Sequence, residues 1–265
     1  MKCLFLCSCF LAASIVYARA DDPATLFQQA RQTLEAPSGG DVDKAVSLLK
    51  RAAAGWQAAS SNAPHYAAAL DYLAVALMVQ LREDAAARED NSLADFREWI
   101  KRAGPYTKRA LEIAESNPAV KQEDLALALE LEAQLRGQQG SGAALWDRAA
   151  KIRAERVAAL NPVDLALGPL VKTTEENTTE PHGISIVKPD YTRIAALAQY
   201  AGRVALKTTI GVDGKARDIQ LLRGLGFGLD EQAAKALLQS KFQPGQKSGQ
   251  PVSMSTEVQV EFRLN

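Results

Sequence analysis

Few residues of this chain have the types and spacing that chemistry requires. The three cysteines, Cys3, Cys7 and Cys9, lie within the first ten residues, and only two histidines occur, His65 and His182, far apart in the sequence. A nucleophile needs an adjacent base, and structural zinc needs nitrogen or sulfur ligands at close spacing. The glycine-rich run 224–228 lacks the preceding parallel strand of a phosphate-binding loop. The sequence therefore predicts a protein that is not an enzyme, with no catalytic residue, no metal and no cofactor.

The cysteines belong to a segment that resembles a secretory signal. Lys2 supplies a positive charge, residues 3–17 are almost wholly apolar, and Ala18-Arg19-Ala20 is typical of a cleavage site. An apolar run of 15 residues is shorter than the roughly 20 that span a bilayer as a helix. We expect residues 1–20 to be a secretory signal that exports the chain. The alternative is an uncleaved segment that anchors the chain in a membrane.

Residues 21–162 have the periodicity of α-helices. One apolar face repeats at helical spacing over residues 70–81, and further helices are predicted near 23–36, 42–60, 93–116, 121–137 and 142–159. Pro23 follows Asp22 as a first-turn proline follows a cap. Trp56, Trp99 and Trp146 fall on these helices, where we expect core positions. This part is predicted to be an all-α domain of helical hairpins.

Three predicted helix ends in this region have similar sequences, at 58–64, 113–118 and 158–162, and each of these segments ends with a proline. The spacings between these prolines exceed the 34 residues of a tetratricopeptide repeat. The residues from Tyr106 to Ala114 resemble the second helix of that family, so the region resembles a degenerate tetratricopeptide-like array. Such an array implies a concave surface for another envelope protein, whereas a spacer without a ligand is the alternative.

The chain changes character after Pro162. Residues 163–187 are polar or aperiodic and are predicted to be a linker, followed by an α+β domain at 188–265. Alternation predicts strands at 204–210, 216–223 and 252–264, with a hairpin turn at Asp213-Gly214. A short helix is expected near 191–200, and a second from a cap at Asp230 to Gln239. The prediction is a small three-stranded antiparallel sheet with two helices.

Several short motifs of this last region closely resemble the C-terminal domain of the TonB family. They are Pro189-Asp190-Tyr191, Gly202-Arg203-Val204-Ala205-Leu206, Val212-Asp213-Gly214-Lys215, Gly228-Leu229-Asp230-Glu231-Gln232-Ala233, Lys241-Phe242-Gln243-Pro244 and Glu261-Phe262-Arg263-Leu264. Thr192 and Ser240 depart from the family pattern, which often has a proline and an aromatic residue there. We expect looser packing at these two positions with the same fold.

The resemblance implies a partner site that works by β-strand addition. In the family, the last strand receives a short box peptide of an outer-membrane receptor, and unpaired backbone groups supply the affinity. The residues so implied are Ser255, Glu257, Gln259, Val260, Glu261 and Arg263, with Pro189, Asp190 and Tyr191 nearby. The alternative for the strand itself is that its polar face simply meets water.

The resemblance also implies a role as energy transducer for TonB-dependent transport, driven by inner-membrane motor subunits. Transducers of the family carry a histidine in their membrane helix, and residues 1–20 contain none. The alternative is a soluble periplasmic adaptor. Residues 188–265 hold 11 basic and 7 acidic residues, whereas residues 21–187 hold 18 and 24. The full chain has a net charge of zero, so nucleic acid is not an expected partner.

Overall fold

The computed structural model describes residues 22–36, 40–59, 61–87, 94–137, 141–161, 170–172 and 174–264. The predicted signal at 1–20 lies outside these residues. The chain divides into two compact units, residues 1–136 and 137–265.

The described part of the first unit is helical. Its helices are α1 (Pro23–Leu34), α2 (Val42–Ala58), α3 (Pro64–Ala87), α4 (Ala94–Ser116) and α5 (Gln122–Arg136), close to the predicted bounds. Asp22 caps α1 by accepting a hydrogen bond from the Thr25 backbone N at 3.0 Å, with Pro23 in the first turn as predicted. No helix in the described residues combines the length and the apolarity that crossing a bilayer requires.

Burial in this unit follows the apolar face of α3. Leu70, Leu73 and Leu77 are at most 2% exposed. The indole of Trp99, on α4, is also buried and donates a hydrogen bond to the Ala74 carbonyl at 2.8 Å, which joins α4 to α3. Trp56 is buried as well and stacks on Tyr66. Trp56 and Trp99 are therefore core residues, as predicted.

The described residues of the second unit form three helices together with short and long strands. The helices are α6 (Ser141–Ala158), α7 (Arg193–Leu197) and α8 (Leu229–Gln239). The strands are β1 (Leu170–Val171), β2 (Thr178–Thr179), β3 (His182–Ser185), β4 (Gly202–Ile210), β5 (Ala216–Arg223), β6 (Lys241–Gln243), β7 (Gly245–Lys247) and β8 (Gln250–Phe262). Trp146, on α6, is half-buried and stacks on Tyr200.

The main sheet runs in the order β2-β7-β8-β4-β5, and β1 adds to β8 in parallel. The predicted antiparallel strands are confirmed as β8, β4 and β5, with the β4–β5 turn at Asp213-Gly214. The sheet has more than three strands because short segments join it. Two of them, β1 and β2, come from residues 163–187, which were predicted to be a linker. Strand β3, from the same stretch, pairs with β6 in a separate two-stranded sheet. Helix α8 buries Leu229, Ala233 and Leu237.

Two sequence expectations differ from the structure here. Helix α6 was assigned to the helical region, yet it packs against β5 and α8 and belongs to the second unit. Asp230 was predicted to cap α8, but the N-cap position is Gly228, in a left-handed conformation at φ 75°. The Asp230 carboxylate instead accepts hydrogen bonds from the backbone N of Leu225 at 2.7 Å and of Gly226 at 3.1 Å. It therefore orders the loop before the helix by bonding two of the loop's backbone N–H groups.

Candidate functional site

The two sides of strand β8 are used differently along its length. On one side, residues 254–262 pair antiparallel with β4. Residues 250–252 pair with β7, and on the side opposite β4 residues 253–254 pair with β1. In the described part of the chain, no strand pairs with that side of residues 255–262. An unpaired strand edge presents backbone N–H and C=O groups to a further strand.

The hydrogen bonds of the β4–β5 hairpin indicate which backbone groups of β8 point outward. The Gly211 backbone N donates to the Lys215 carbonyl at 3.0 Å, so Gly211 faces β5, and by alternation Ile210 and the other even-numbered residues of β4 face β8. The β4–β8 register is uninterrupted and pairs Ile210 with Met254, so the even-numbered residues of β8 bond to β4. The odd-numbered residues, Gln259 and Glu261 among them, therefore present their N–H groups at the open edge.

A groove of about 290 Å³ lies beside this edge. One wall is formed by residues 258–261 of β8, and the facing wall by residues 186–189. Ala236 and Leu237, near the end of α8, line it together with Ser240 and Phe242. The groove is therefore mainly apolar inside, with Lys188 and Glu261 among its lining charges.

Ser240 holds the wall opposite the strand. Its hydroxyl accepts a hydrogen bond from the Val187 backbone N at 3.0 Å and donates one to the Ala236 carbonyl at 2.7 Å. The side chain is buried, and pairing of β3 with β6 fixes the same segment just before Val187. Sequence reasoning marked Ser240 only as a departure from a family pattern. A small polar residue before a strand carries no local signal of a contact with residue 187.

Tyr191 closes one end of the edge. Its ring packs edge-on against Phe262, the last residue of β8, with ring centroids 5.5 Å apart. Its hydroxyl donates a hydrogen bond to the Tyr200 carbonyl. Burial raises the pKa of the Tyr191 hydroxyl. The tyrosine thus packs beside the strand as a neutral side chain that locates the residues 186–190 before it.

Two of the charged residues predicted for the site, Glu261 and Arg263, form a chain of exposed ion pairs with Arg203. Glu261 lies opposite Arg203 on β4, 3.5 Å away, and accepts a hydrogen bond from Arg263 at 2.6 Å. The hydrogen bond from Arg263 is the main cause that lowers the pKa of Glu261. Such exposed pairs contribute little stability, so they are available to a partner.

The structure brings most of the predicted site residues to one edge. Glu257, Gln259 and Glu261 have exposed side chains on β8, whereas Ser255 and Val260 are half-buried. Gln259, Val260, Glu261 and Pro189 line the groove, but Asp190 is exposed and does not line it. Apolar lining residues such as Val258, Leu237 and Ile186 were not predicted. Alternation could have indicated Val258, but the contact with α8 depends on the tertiary fold.

These features define a class of protein module, a small α+β domain whose last long strand offers an open edge beside an apolar groove. Residues 187–264 match the model of the Gram-negative bacterial TonB protein C-terminal family, so this segment is a TonB-type C-terminal domain. No curated protein matches the chain in a sequence comparison. The match confirms the resemblance in the last region, and α6 lies outside it although it packs into the same unit.

Proposed function

We propose that the TonB-type domain binds an extended peptide segment of a TonB-dependent outer-membrane receptor by strand addition along residues 255–262. The observation that carries the proposal is the unpaired edge of β8 beside the groove. An added strand would hydrogen-bond to the outward groups of Gln259 and Glu261. Its alternate side chains would enter the groove over Leu237 and Phe242, which gives selectivity to a bond made mainly between backbones.

The proposed setting is the periplasm, reached through the signal at residues 1–20. There the chain acts as a TonB-family energy transducer, which needs motor subunits in the inner membrane. A specific observation favours a second function, that of an adaptor without energy coupling. The first unit holds a separate cavity of about 480 Å³, so the chain has room for a second ligand.

The test is a titration of the ¹⁵N-labelled full-length protein with synthetic TonB-box peptides from several outer-membrane receptors. Amide shifts should concentrate at residues 255–262 and near Tyr191. Gln259→Ala removes an exposed side chain and should weaken binding only modestly, because the backbone makes the bond. Lys235→Ala, on an exposed position of α8 outside the groove, is the matched control and should bind as the parent does.

Two outcomes decide between the two functions. Shifts confined to the β8 edge support receptor binding. A folded protein that shows no shifts with any box peptide contradicts it. If such a protein bound another envelope protein through residues 22–136, the adaptor function would hold instead.

A further inference from the structure

The cavity in the first unit lies between α2, α3 and α4 and has a volume of about 480 Å³. This volume falls within the range of roughly 300 to 1,000 Å³ typical of small-molecule sites. The described residues that line it are Ala53, Gln57, Ser61, Tyr66, Leu70, Pro105, Tyr106 and Arg109. Neither the family match nor the proposed receptor site uses any of them.

Polar side chains line the cavity together with the apolar Ala53 and Leu70. Tyr66 is only 4% exposed, and its ring is held in place by stacking on Trp56, with centroids 5.7 Å apart. Tyr106, on α4, is half-buried. The phenol groups of both tyrosines can donate hydrogen bonds, and a few such groups in a cavity orient a bound ligand.

Arg109 supplies the charge. Among the described lining residues it is the charged one, and it pairs with Glu112 at 3.2 Å. Both side chains of that pair are about half exposed, at 48% and 50%, and such a pair contributes only about 0.2 to 1 kcal/mol. A ligand anion can therefore replace Glu112 at small cost. A single guanidinium matches a carboxylate, since a phosphate dianion would keep one charge uncompensated.

We propose that this cavity binds a ligand with one carboxylate and an aliphatic body. The carboxylate contacts Arg109, the phenol groups of Tyr66 and Tyr106 donate to it or to a neighbouring carbonyl, and the aliphatic part rests on Ala53 and Leu70. A free acyl amino acid and the C-terminal residue of a peptide share this chemistry.

The experiment compares matched probes on the full-length ¹⁵N-labelled protein. The probes are N-acetyl-leucine and N-acetyl-leucinamide, which differ only in the charge, and a tetrapeptide ending in leucine as free acid and as amide. We expect each acid to bind roughly tenfold more tightly than its amide. Shifts should centre on the Trp56 indole, Leu70 and Tyr106. Arg109→Gln should reduce the affinity of the acid to that of the amide.

Arg102→Gln is the control, because Arg102 lies on the same helix, pairs with Glu98 at 2.8 Å and does not line the cavity. It should leave binding unchanged. Tyr106→Phe should lower the affinity for the acid probes by a few-fold without altering the unfolding temperature. Binding of the peptide acid alone would identify a chain terminus as the ligand, and binding of both acids a free carboxylate.

Three results would overturn the proposal. They are equal affinity for acid and amide, an unchanged affinity in Arg109→Gln, and displacement of the acid by inorganic phosphate at similar concentration. The outcome is independent of the receptor site, because the two sites share no residue.

Discussion

The side-chain amide of Asn161 makes two hydrogen bonds with the backbone of Ile219, on the edge strand β5. Asn161 Nδ2 donates to the Ile219 carbonyl at 3.0 Å, and the Ile219 N–H donates to Asn161 Oδ1 at 2.7 Å. Ile219 is fully buried, so these groups need a partner. The amide therefore takes the place of a neighbouring strand at this point of β5, whereas none of the described strands pairs with the open edge of β8 at 255–262.

Replacing this amide should loosen the β5 edge. We expect Asn161→Ala to lower the free energy of unfolding by about 1 to 3 kcal/mol, because a buried N–H and C=O lose their partners. Asn161→Asp keeps the oxygen that accepts from the Ile219 N–H, so it should lower the free energy of unfolding less than Asn161→Ala does. Hydrogen exchange of the Ile219 amide measures the effect directly. An exchange rate unchanged in Asn161→Ala would contradict the role.

The buried carboxylate of Glu231 should make stability fall in acid. Burial acts to raise its pKa, but Arg153 at 3.1 Å and Arg156 at 2.7 Å outweigh burial and hold the pKa below the ordinary value of 4.5. Because its pKa is lowered in the folded state, ionised Glu231 stabilises that state at every pH above about 4.5. This contribution to the free energy of unfolding is lost as the pH falls through the pKa of Glu231 in the folded state. Glu231→Gln should therefore remove it at neutral pH.

The expected cost of Glu231→Gln is about 3 to 5 kcal/mol, because Arg153 is left buried without its counter-charge. Urea unfolding at pH 7 and pH 4 measures it, and the difference between variant and parent should shrink at the lower pH. Glu257→Gln, an exposed acid on β8, serves as control. A cost that stays constant between the two pH values would show that the carboxylate charge does not contribute.

Asp71 should have the opposite pH dependence. It is fully buried on α3, and neither of its carboxylate oxygens has a hydrogen-bond partner in the described part of the chain. Burial, followed by the charges of Asp124 and Glu130, raises its pKa well above 3.8. Because its pKa is raised, the contribution of protonated Asp71 to the free energy of unfolding is fully present below pH 3.8. It is lost as the pH rises through the pKa of Asp71 in the folded state.

Asp71→Asn should therefore stabilise the first unit at neutral pH and reduce its pH dependence. The gain grows by about 1.4 kcal/mol for each pH unit between the two pKa values. Urea unfolding of variant and parent from pH 4 to pH 8 provides the measurement. If the free energy of unfolding changed equally with pH in the two proteins, Asp71 would be ionised over this range. Burial would then not raise its pKa.

Two proline substitutions on β8 should separate binding from folding. The N–H of Gln259 points to the open edge, so Gln259→Pro should keep the pairing with β4 and abolish binding of a box peptide. The N–H of Val260 points to β4, so Val260→Pro should break the ladder and destabilise the domain by about 3 kcal/mol or more. Circular dichroism and peptide titration together measure both. A Gln259→Pro protein that is folded and binds normally would exclude strand addition at this edge.

The sequence alone predicted the elements whose signal is local. The apolar face over residues 70–81 indicates α3, and alternation from Val252 indicates most of β8, because helices and strands impose their own periods on neighbouring residues. The turn at Asp213-Gly214 follows in the same way, since positive φ at Gly214 is a property of one residue. The motifs of the TonB-type domain also lie within short stretches.

Only the tertiary structure decided how distant residues meet. Asn161 lies 58 residues from Ile219, and Arg153 lies 78 residues from Glu231, so no period connects either pair. For the same reason α6 was predicted within the helical region, and the two residues of β1 were predicted as linker. A two-residue strand has no pattern of its own, and its pairing with Ser253 and Met254 depends on where the folded chain places it. The open edge of β8 and the cavity beside Arg109 exist because of such non-local placement, which local sequence does not encode.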